Sequence, residues 1–264
     1  IVNSRLETSL SSEQNWRKII DNQFGKLQEN NEENDQLARD EKATALKILE
    51  SSRISVLLGR AGTGKTSALG IFASSKEIKA GGVLALTPTG KARVQLENAF
   101  KKNSVQAEFM TVAQFLIRSK GFSWNTMVYK MPSQPSSSIA KTVIIDESSM
   151  LTEDMFGGIL KLVDSHAERI IFIGDPNQLP PIGAGRPFVD LIHYLESAYP
   201  EKIATLKTEM RQGSGGDDLS FAQIFSNSDS VDKDVIYRIQ NNQTDNRLKY
   251  IQYNDLDELE KVFF

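Results

Sequence analysis

The stretch ISVLLGRAGTGKTS, residues 54–67, constrains the fold more than any other part of the chain. A short apolar run ends at Gly59, a helix-forming segment opens near Lys65, and Gly59-x-x-x-x-Gly64-Lys65-Thr66 lies between them. That spacing is a phosphate-binding loop, which functions where a buried strand turns sharply into a helix N-terminus. Gly59, Gly62 and Gly64 let the backbone curl so that several N–H groups converge on one concavity. The helix start adds its positive dipole end, and Lys65 can reach the terminal phosphates as a point charge. The Thr66 hydroxyl is an oxygen ligand of the kind Mg²⁺ prefers. The expected ligand is therefore a nucleoside triphosphate, with Gly59, Gly62, Thr63, Gly64, Lys65, Thr66 and Ser67 as its binding residues.

A loop of this kind needs a parallel sheet, and the rest of the chain supplies one. Short continuous apolar runs recur at 54–59, 82–88, 142–147 and 169–175, separated by helical patterns. Such runs are typical of strands covered on both faces. Each ends in Gly, Thr-Pro or an acid, so polar chemistry gathers at the C-terminal edge where α/β sheets bind ligands. Ahead of the loop, residues 12–27 and 35–51 have helical spacing, with QENNEEND reading as a polar linker between them. The stretch 121–140 breaks the pattern with aromatics followed by a Pro/Ser loop, consistent with a small hairpin insertion. After TLKTEMRQ come two helical stretches, near 216–227 and 230–242, and a strand, LKYIQYN.

Composition excludes some function classes. There are no cysteines, hence no disulfides or thiolate metal sites, and no apolar run approaches membrane-spanning length. His166 and His193 have no partners at metal spacing and read as structural or surface residues. The net charge of −3 argues against a uniformly basic nucleic-acid binder. Residues 76–130 nonetheless carry nine Lys or Arg, including Lys91 and Arg93, against Glu77, Glu97 and Glu108. That is either a solvated face or one that meets a polyanion. The chain starts at Ile1 rather than Met and stops on ELEKVFF, so it is expected to be a piece of something longer.

Two further stretches carry chemistry. VIIDESSM puts Asp146 and Glu147 at the end of a buried strand. Beside a phosphate-binding loop, one carboxylate holds Mg²⁺ and the other orients the attacking water; Asp146 suits the first role and Glu147 the second. An acidic helix cap is the plainer reading. In IFIGDPNQLPPIGAGRPF a strand runs out through Asp175 to Gln178 and then to two prolines. A Gln there can bond both γ-phosphate and attacking water. An ordinary Pro/Gly-rich loop would look the same, and the residues alone leave this open.

Taken in order, GRAGTGKT, LALTPTGKA, VIIDESSM, GDPNQLPPIGAGRPF and LKTEMRQ resemble the RecD-like branch of superfamily 1 DNA helicases, which includes the exonuclease V alpha subunit and conjugative relaxase-helicases. The resemblance spans roughly residues 37–225. It implies an α/β fold of the P-loop NTPase (RecA-like) type, and an ATP- and Mg²⁺-dependent motor moving on single-stranded DNA, typically 5′ to 3′. It also implies ATP held between two RecA-like domains, a cytoplasmic bacterial-type location, and other helicase–nuclease subunits as candidate partners. By resemblance Thr87, Pro88, Thr89 and Lys91 touch the DNA backbone, as do Thr111 and Gln114 of TVAQFL. Family members have a basic residue or His where Gln114 stands. Lys65, Glu147, Gln178 and Arg211 would be catalytic, Arg211 reaching the γ-phosphate from the second domain. Residues 122–129 fall where relatives insert a strand-separating pin; a plain packed hairpin fits as well.

The implied organisation is a helical segment and linker over 1–34, a first motor domain over 35–205, and an incomplete second one over 206–264. Two departures stand out. Relatives read adenine with a Gln ahead of the loop, where this chain has Glu41-Lys42, and the chain ends before the later motifs. A P-loop NTPase of another class, acting as a nucleotide-dependent switch or a small-substrate kinase, is the alternative. It leaves GDPNQLPPIGAGRPF and the basic segment unexplained.

Overall fold

The computed structural model describes residues 1–25, 32–60, 62–119, 122–123, 128–129, 140–208, 237, 239–241 and 251. The chain divides into two units, Ile1–Met210 and Arg211–Phe264. Arg211, the helical stretch near 216–227, most of that near 230–242 and the expected strand LKYIQYN lie outside the described residues, apart from Ile251.

In chain order the first unit runs through α1 (Val2–Leu6), α2 (Trp16–Phe24), α3 (Glu32–Ser51), β1 (Ile54–Gly59), α4 (Lys65–Ser74), α5 (Lys76–Gly81) and β2 (Val83–Thr87). It continues with α6 (Gly90–Lys102), β3 (Glu108–Thr111), α7 (Val112–Arg118), β4 (Phe122–Ser123), β5 (Val128–Tyr129) and β6 (Thr142–Ile145). Then follow α8 (Glu153–Val163), β7 (Arg169–Gly174), α9 (Pro187–Ala198) and β8 (Ile203–Leu206). Six strands form one sheet in the order β3-β2-β6-β7-β1-β8, and every pairing in it is parallel. This is the α/β P-loop NTPase architecture that the apolar runs and the glycine-rich loop predict.

Alternation along each strand sends side chains to two cores, one on each face. Ile54, Val56, Val143, Ile145, Ile170 and Phe172 pack on one face with α7, α8 and α9 residues such as Leu116, Ile159 and Leu195. Leu57, Ile144, Ile171 and Ile173 pack on the other with Trp16, Leu46, Leu49, Phe72 and Phe100. The N-terminal segment contributes to this second core: Trp16 is 2% exposed and stacks on Phe72 at 5.7 Å between ring centroids. Its indole N–H donates to the buried Glu50 carboxylate at 2.8 Å.

Three features depart from expectation, and a fourth, the short hairpin, agrees with it. Helix α3 begins at Glu32, inside the stretch read as a linker, because Glu32, Glu33 and Asp35 sit in its first turn and complement the helix dipole. Asp146 and Glu147 lie just past β6 rather than in it. Two short strands, β3 and β8, extend the sheet at both ends. In the 121–140 stretch, β4 and β5 pair antiparallel with Phe122 opposite Tyr129, while residues 124–127 and 130–139 lie outside the described residues.

Candidate functional site

Because all six strands run the same way, their C-terminal ends share one edge, and the candidate residues follow directly after them. Gly59 ends β1. A Cβ there would lie 2.6 Å from the Thr63 hydroxyl oxygen and 3.0 Å from the Leu206 carbonyl oxygen, so only glycine allows the loop to close against β8. Gly62 and Gly64 have φ of 93° and 85°, the left-handed region that glycine enters without cost. Thr63 is buried and its hydroxyl donates to the Arg60 carbonyl at 2.9 Å, which braces the loop from within. Lys65, Thr66 and Ser67, half-buried, form the first turn of α4. The Lys65 ammonium donates to the Gly59 and Arg60 carbonyls at 2.5 and 3.1 Å, so its position is set by the loop it serves. Ala61 lies outside the described residues.

Past β6, the Asp146 carboxylate is 8% exposed. Burial, then the neighbouring charge of Glu147, push its pKa up to about 6; the Glu147 N–H, 3.0 Å from Oδ1, and the Lys65 charge oppose the rise. A carboxylate that is costly to ionise, close enough to Lys65 to sense its charge, is a site that a cation would relieve. The Thr66 hydroxyl, in the first turn of α4, and this carboxylate are oxygen donors of the kind Mg²⁺ prefers. Glu147 adopts φ 55° and ψ 41°, left-handed and unusual for a residue with a side chain. Its carboxylate makes no hydrogen bond or ion pair among the described residues, and backbone strain of this kind, of order 1–3 kcal/mol, collects at functional sites. The turn is held by Ser148, whose hydroxyl donates to the Ile145 carbonyl at 2.8 Å and accepts from the Ile173 N–H of β7 at 3.3 Å. Gln178 leaves β7 through a turn in which its N–H donates to the Asp175 carbonyl at 3.1 Å. Its half-buried side chain makes no hydrogen bond among the described residues.

The residues assigned by resemblance to a DNA backbone follow β2 and β3. The two strands are in register with Thr87 opposite Thr111, and the helices that follow them pack on opposite faces, Leu96 and Phe100 of α6 in one core and Phe115 and Leu116 of α7 in the other. Thr89 caps α6, accepting from the Ala92 N–H at 3.2 Å, and Thr89 and Lys91 are exposed, with Pro88 half-buried. Thr111 and Gln114 form a reciprocal capping box on α7: Thr111 accepts from the Gln114 N–H at 3.2 Å and the Gln114 side chain accepts from the Thr111 N–H at 2.9 Å. Gln114 therefore has a local task that a basic residue or His could not perform in the same way. Thr87 departs from expectation. It is fully buried and its hydroxyl donates to the Thr89 carbonyl at 2.9 Å, so it shapes the turn and presents no hydroxyl at the surface.

Residues 36–250 match the AAA domain family. Among curated relatives, an uncharacterized protein of Methanocaldococcus jannaschii is 30% identical over 228 residues, covering 78% of this chain and 19% of that protein. The RecBCD enzyme subunit RecD of Mycolicibacterium smegmatis is 29% identical over 192 residues, covering 66% of this chain and 33% of its own. The ATP-dependent RecD2 DNA helicase of Deinococcus radiodurans is 31% identical over 156 residues, 58% of this chain and 19% of that helicase. The chain belongs to the RecD-like branch of this AAA-domain family. It is a helicase-like P-loop NTPase that spans between about a fifth and a third of the length of these relatives.

Within this RecD-like frame two residues gain roles that motif spacing did not assign. Of the pair Glu41-Lys42, expected at the place of an adenine-reading Gln, the Glu41 carboxylate accepts from the Lys207 and Thr208 N–H groups, both at 2.9 Å. It thereby ties α3 to the backbone leaving β8. Lys42 is 3% exposed and lies against Gly64. The signal for Lys42 was in the pattern: it sits in the stripe of Ala38, Ala45, Leu46 and Leu49, where a helix face buried in a core has no ordinary use for a lysine. No helix among the described residues is long and apolar enough to cross a membrane.

Proposed function

We propose that this chain is the ATP-hydrolysing part of a motor that moves on single-stranded DNA. The observation that carries the reading is the shared strand edge, where the nucleotide residues after β1, β6 and β7 adjoin two capped, exposed helix starts after β2 and β3. Helix N-termini offer N–H groups and a positive dipole end to phosphates, and Thr89, Lys91 and Gln114 add side-chain donors without any means of reading base sequence. That suits a track of repeating phosphates better than a small substrate. The RecD2 relative is named as an ATP-dependent DNA helicase, which agrees with it.

In this reading the triphosphate lies along the loop from Gly59 to Ser67, with Lys65 turning from the carbonyls of its own loop to the terminal phosphate oxygens. Thr66 and Asp146 hold Mg²⁺, which when bound neutralises charge on the β- and γ-phosphates. Glu147, held rigid and unpaired beside them, orients the attacking water and accepts its proton. Gln178 bonds the γ-phosphate and that water, and Arg211, which lies outside the described residues, is the candidate for stabilising transition-state charge. Partner subunits of the helicase–nuclease kind fit the same reading.

The test is steady-state ATP hydrolysis by the full-length protein with and without single-stranded DNA of mixed sequence. We expect marked stimulation that is indifferent to sequence and weakens with salt. No hydrolysis with or without single-stranded DNA, and ADP formed only when a small phosphoryl acceptor is added, would establish a kinase instead.

A further inference from the structure

Lys42 is the one buried charge on its stretch of α3 that makes no hydrogen bond and no ion pair among the described residues. Its neighbours are engaged: Arg39 pairs with Asp35 at 2.9 Å and Asp21 at 3.1 Å, and Glu41 holds two backbone N–H groups. Arg17 joins Asp21 and Asp40. Lys42, only 3% exposed, runs instead to the phosphate-binding loop. A Cβ built on Gly64 would stand 3.2 Å from Lys42 Cε and 3.6 Å from Nζ, so the ammonium abuts the last loop residue before Lys65. Burial draws the Lys42 pKa below its ordinary value, while the nearby Glu41 and Asp35 charges oppose that change.

An unpaired ammonium in a core is costly, and a chain keeps one where an anion arrives to complete it. Here the surroundings name the anion. The ammonium is held at the N-terminus of α4, beside the loop whose amides and Lys65 are built for a polyphosphate. We infer that Lys42 is a second phosphate-binding cation of the nucleotide site, which contacts the polyphosphate of the bound nucleotide from the α3 side of the loop. The inference rests on reading the Gly59–Ser67 loop as the nucleotide site, and it extends the grip beyond the residues of the loop motif. A side chain at Gly64, already strained by its φ of 85°, would also push the end of the lysine that shares the site.

The experiment measures binding of MgATP, and of inorganic tripolyphosphate as a competitor, to the full chain and to Lys42→Met, Lys42→Gln and Lys65→Ala. Met matches the length and apolar character of the lysine stem and removes only the charge. Lys42→Met should weaken both ligands by at least about 10-fold and by similar factors, while melting at a higher temperature than the wild type without ligand. Lys42→Gln should weaken both ligands similarly, which keeps the test open should the Met variant fold poorly. Wild-type affinity in either folded variant overturns the inference. A loss confined to MgATP, with tripolyphosphate bound as before, overturns it too, because the lysine would then act on the nucleoside. Lys65→Ala separates the layers: if Lys42→Met binds normally and Lys65→Ala does not, the loop reading stands and only the role of Lys42 falls; if both bind normally, both fall.

Discussion

Asp146→Asn should make the ligand-free protein more stable, although it removes a residue the site needs. The Asp146 pKa is raised from 3.8 to about 6, mainly by burial. A group whose folded pKa lies above its unfolded one holds its proton longer in the folded state. Its favourable contribution is thus complete below pH 3.8 and lost as pH rises through about 6. At about 1.36 kcal/mol per pH unit, keeping this carboxylate ionised at pH 7.5 costs about 3 kcal/mol. Asn retains the acceptor for the Glu147 N–H, which Asp146 Oδ1 accepts at 3.0 Å, and sheds the repulsion from Glu147. Its amide gains no evident partner in the same pocket, which costs about 1 kcal/mol. The net gain is about 2 kcal/mol, or roughly 4–8 °C in melting temperature for a domain of this size.

At pH 5 the folded wild type is mostly protonated at this site while the unfolded chain is not, so the advantage of the variant falls by roughly 1.4 kcal/mol. The assay is urea and thermal unfolding of both proteins with EDTA at pH 7.5 and 5.0. Saturating MgATP should then reverse the order, because only the wild type recovers the cost of its carboxylate on binding the metal. A variant less stable than wild type at pH 7.5, or one with the same advantage at both pH values, would refute the reasoning.

Three further outcomes are expected. Glu147→Gln should bind ATP as tightly as wild type while turnover falls by about 10²–10⁴-fold, measured by equilibrium binding beside single-turnover hydrolysis; equal losses in both would deny Glu147 a role in orienting water. Lys91→Glu should weaken single-stranded DNA of any sequence and reduce the slope of log affinity against log salt by about 1, read by fluorescence anisotropy; an unchanged slope would place the strand elsewhere. Trp16→Phe leaves the buried Glu50 carboxylate without its indole donor, 2.8 Å away, with only the Ser12 hydroxyl still donating to it, and should cost about 1–3 kcal/mol in urea unfolding; a neutral substitution would mean the indole hydrogen bond adds nothing to stability.

What could be read from the sequence follows the depth of burial. Strands β1, β2, β6 and β7 are covered on both faces, so their residues are apolar apart from Ser55 and the end residues Thr87, Thr142 and Arg169, and they stand out as runs. The edge strands β3 and β8 are four residues each and mix Glu108, Thr111 and Thr205 with apolar neighbours, which no periodicity distinguishes from loop. The start of α3 was hidden for the opposite reason. Its first turn is held by charge at a dipole end and not by packing, and Glu32 to Asp35 therefore look like linker. The loop glycines and the acids after β6 were legible because their chemistry demands a spacing. The placement of Thr87 was not, since a threonine at a strand end can face either way and here the pleat turns it inward.

The strand order also bears on how two ligands at one edge could affect each other. β6, which leads to Asp146 and Glu147, is paired with β2, which leads to Thr87, Thr89 and Lys91. The link continues past the end of β6: the Asp146 N–H donates to the Leu86 carbonyl at 2.9 Å, so the carboxylate-bearing turn is fastened to the residue before Thr87. Thr87 in turn fixes the Thr89 carbonyl, and Thr89 caps α6. From the carboxylate turn to the exposed helix start there are thus three consecutive hydrogen bonds, the first between buried backbone groups and the other two through the hydroxyls of the buried Thr87 and the exposed Thr89. Buried, fully bonded backbone transmits displacement because it cannot yield without losing a bond. A turn at Asp146 that shifts when its carboxylate is neutralised must therefore move the α6 N-terminus with it, and the proposed strand contacts lie on that terminus.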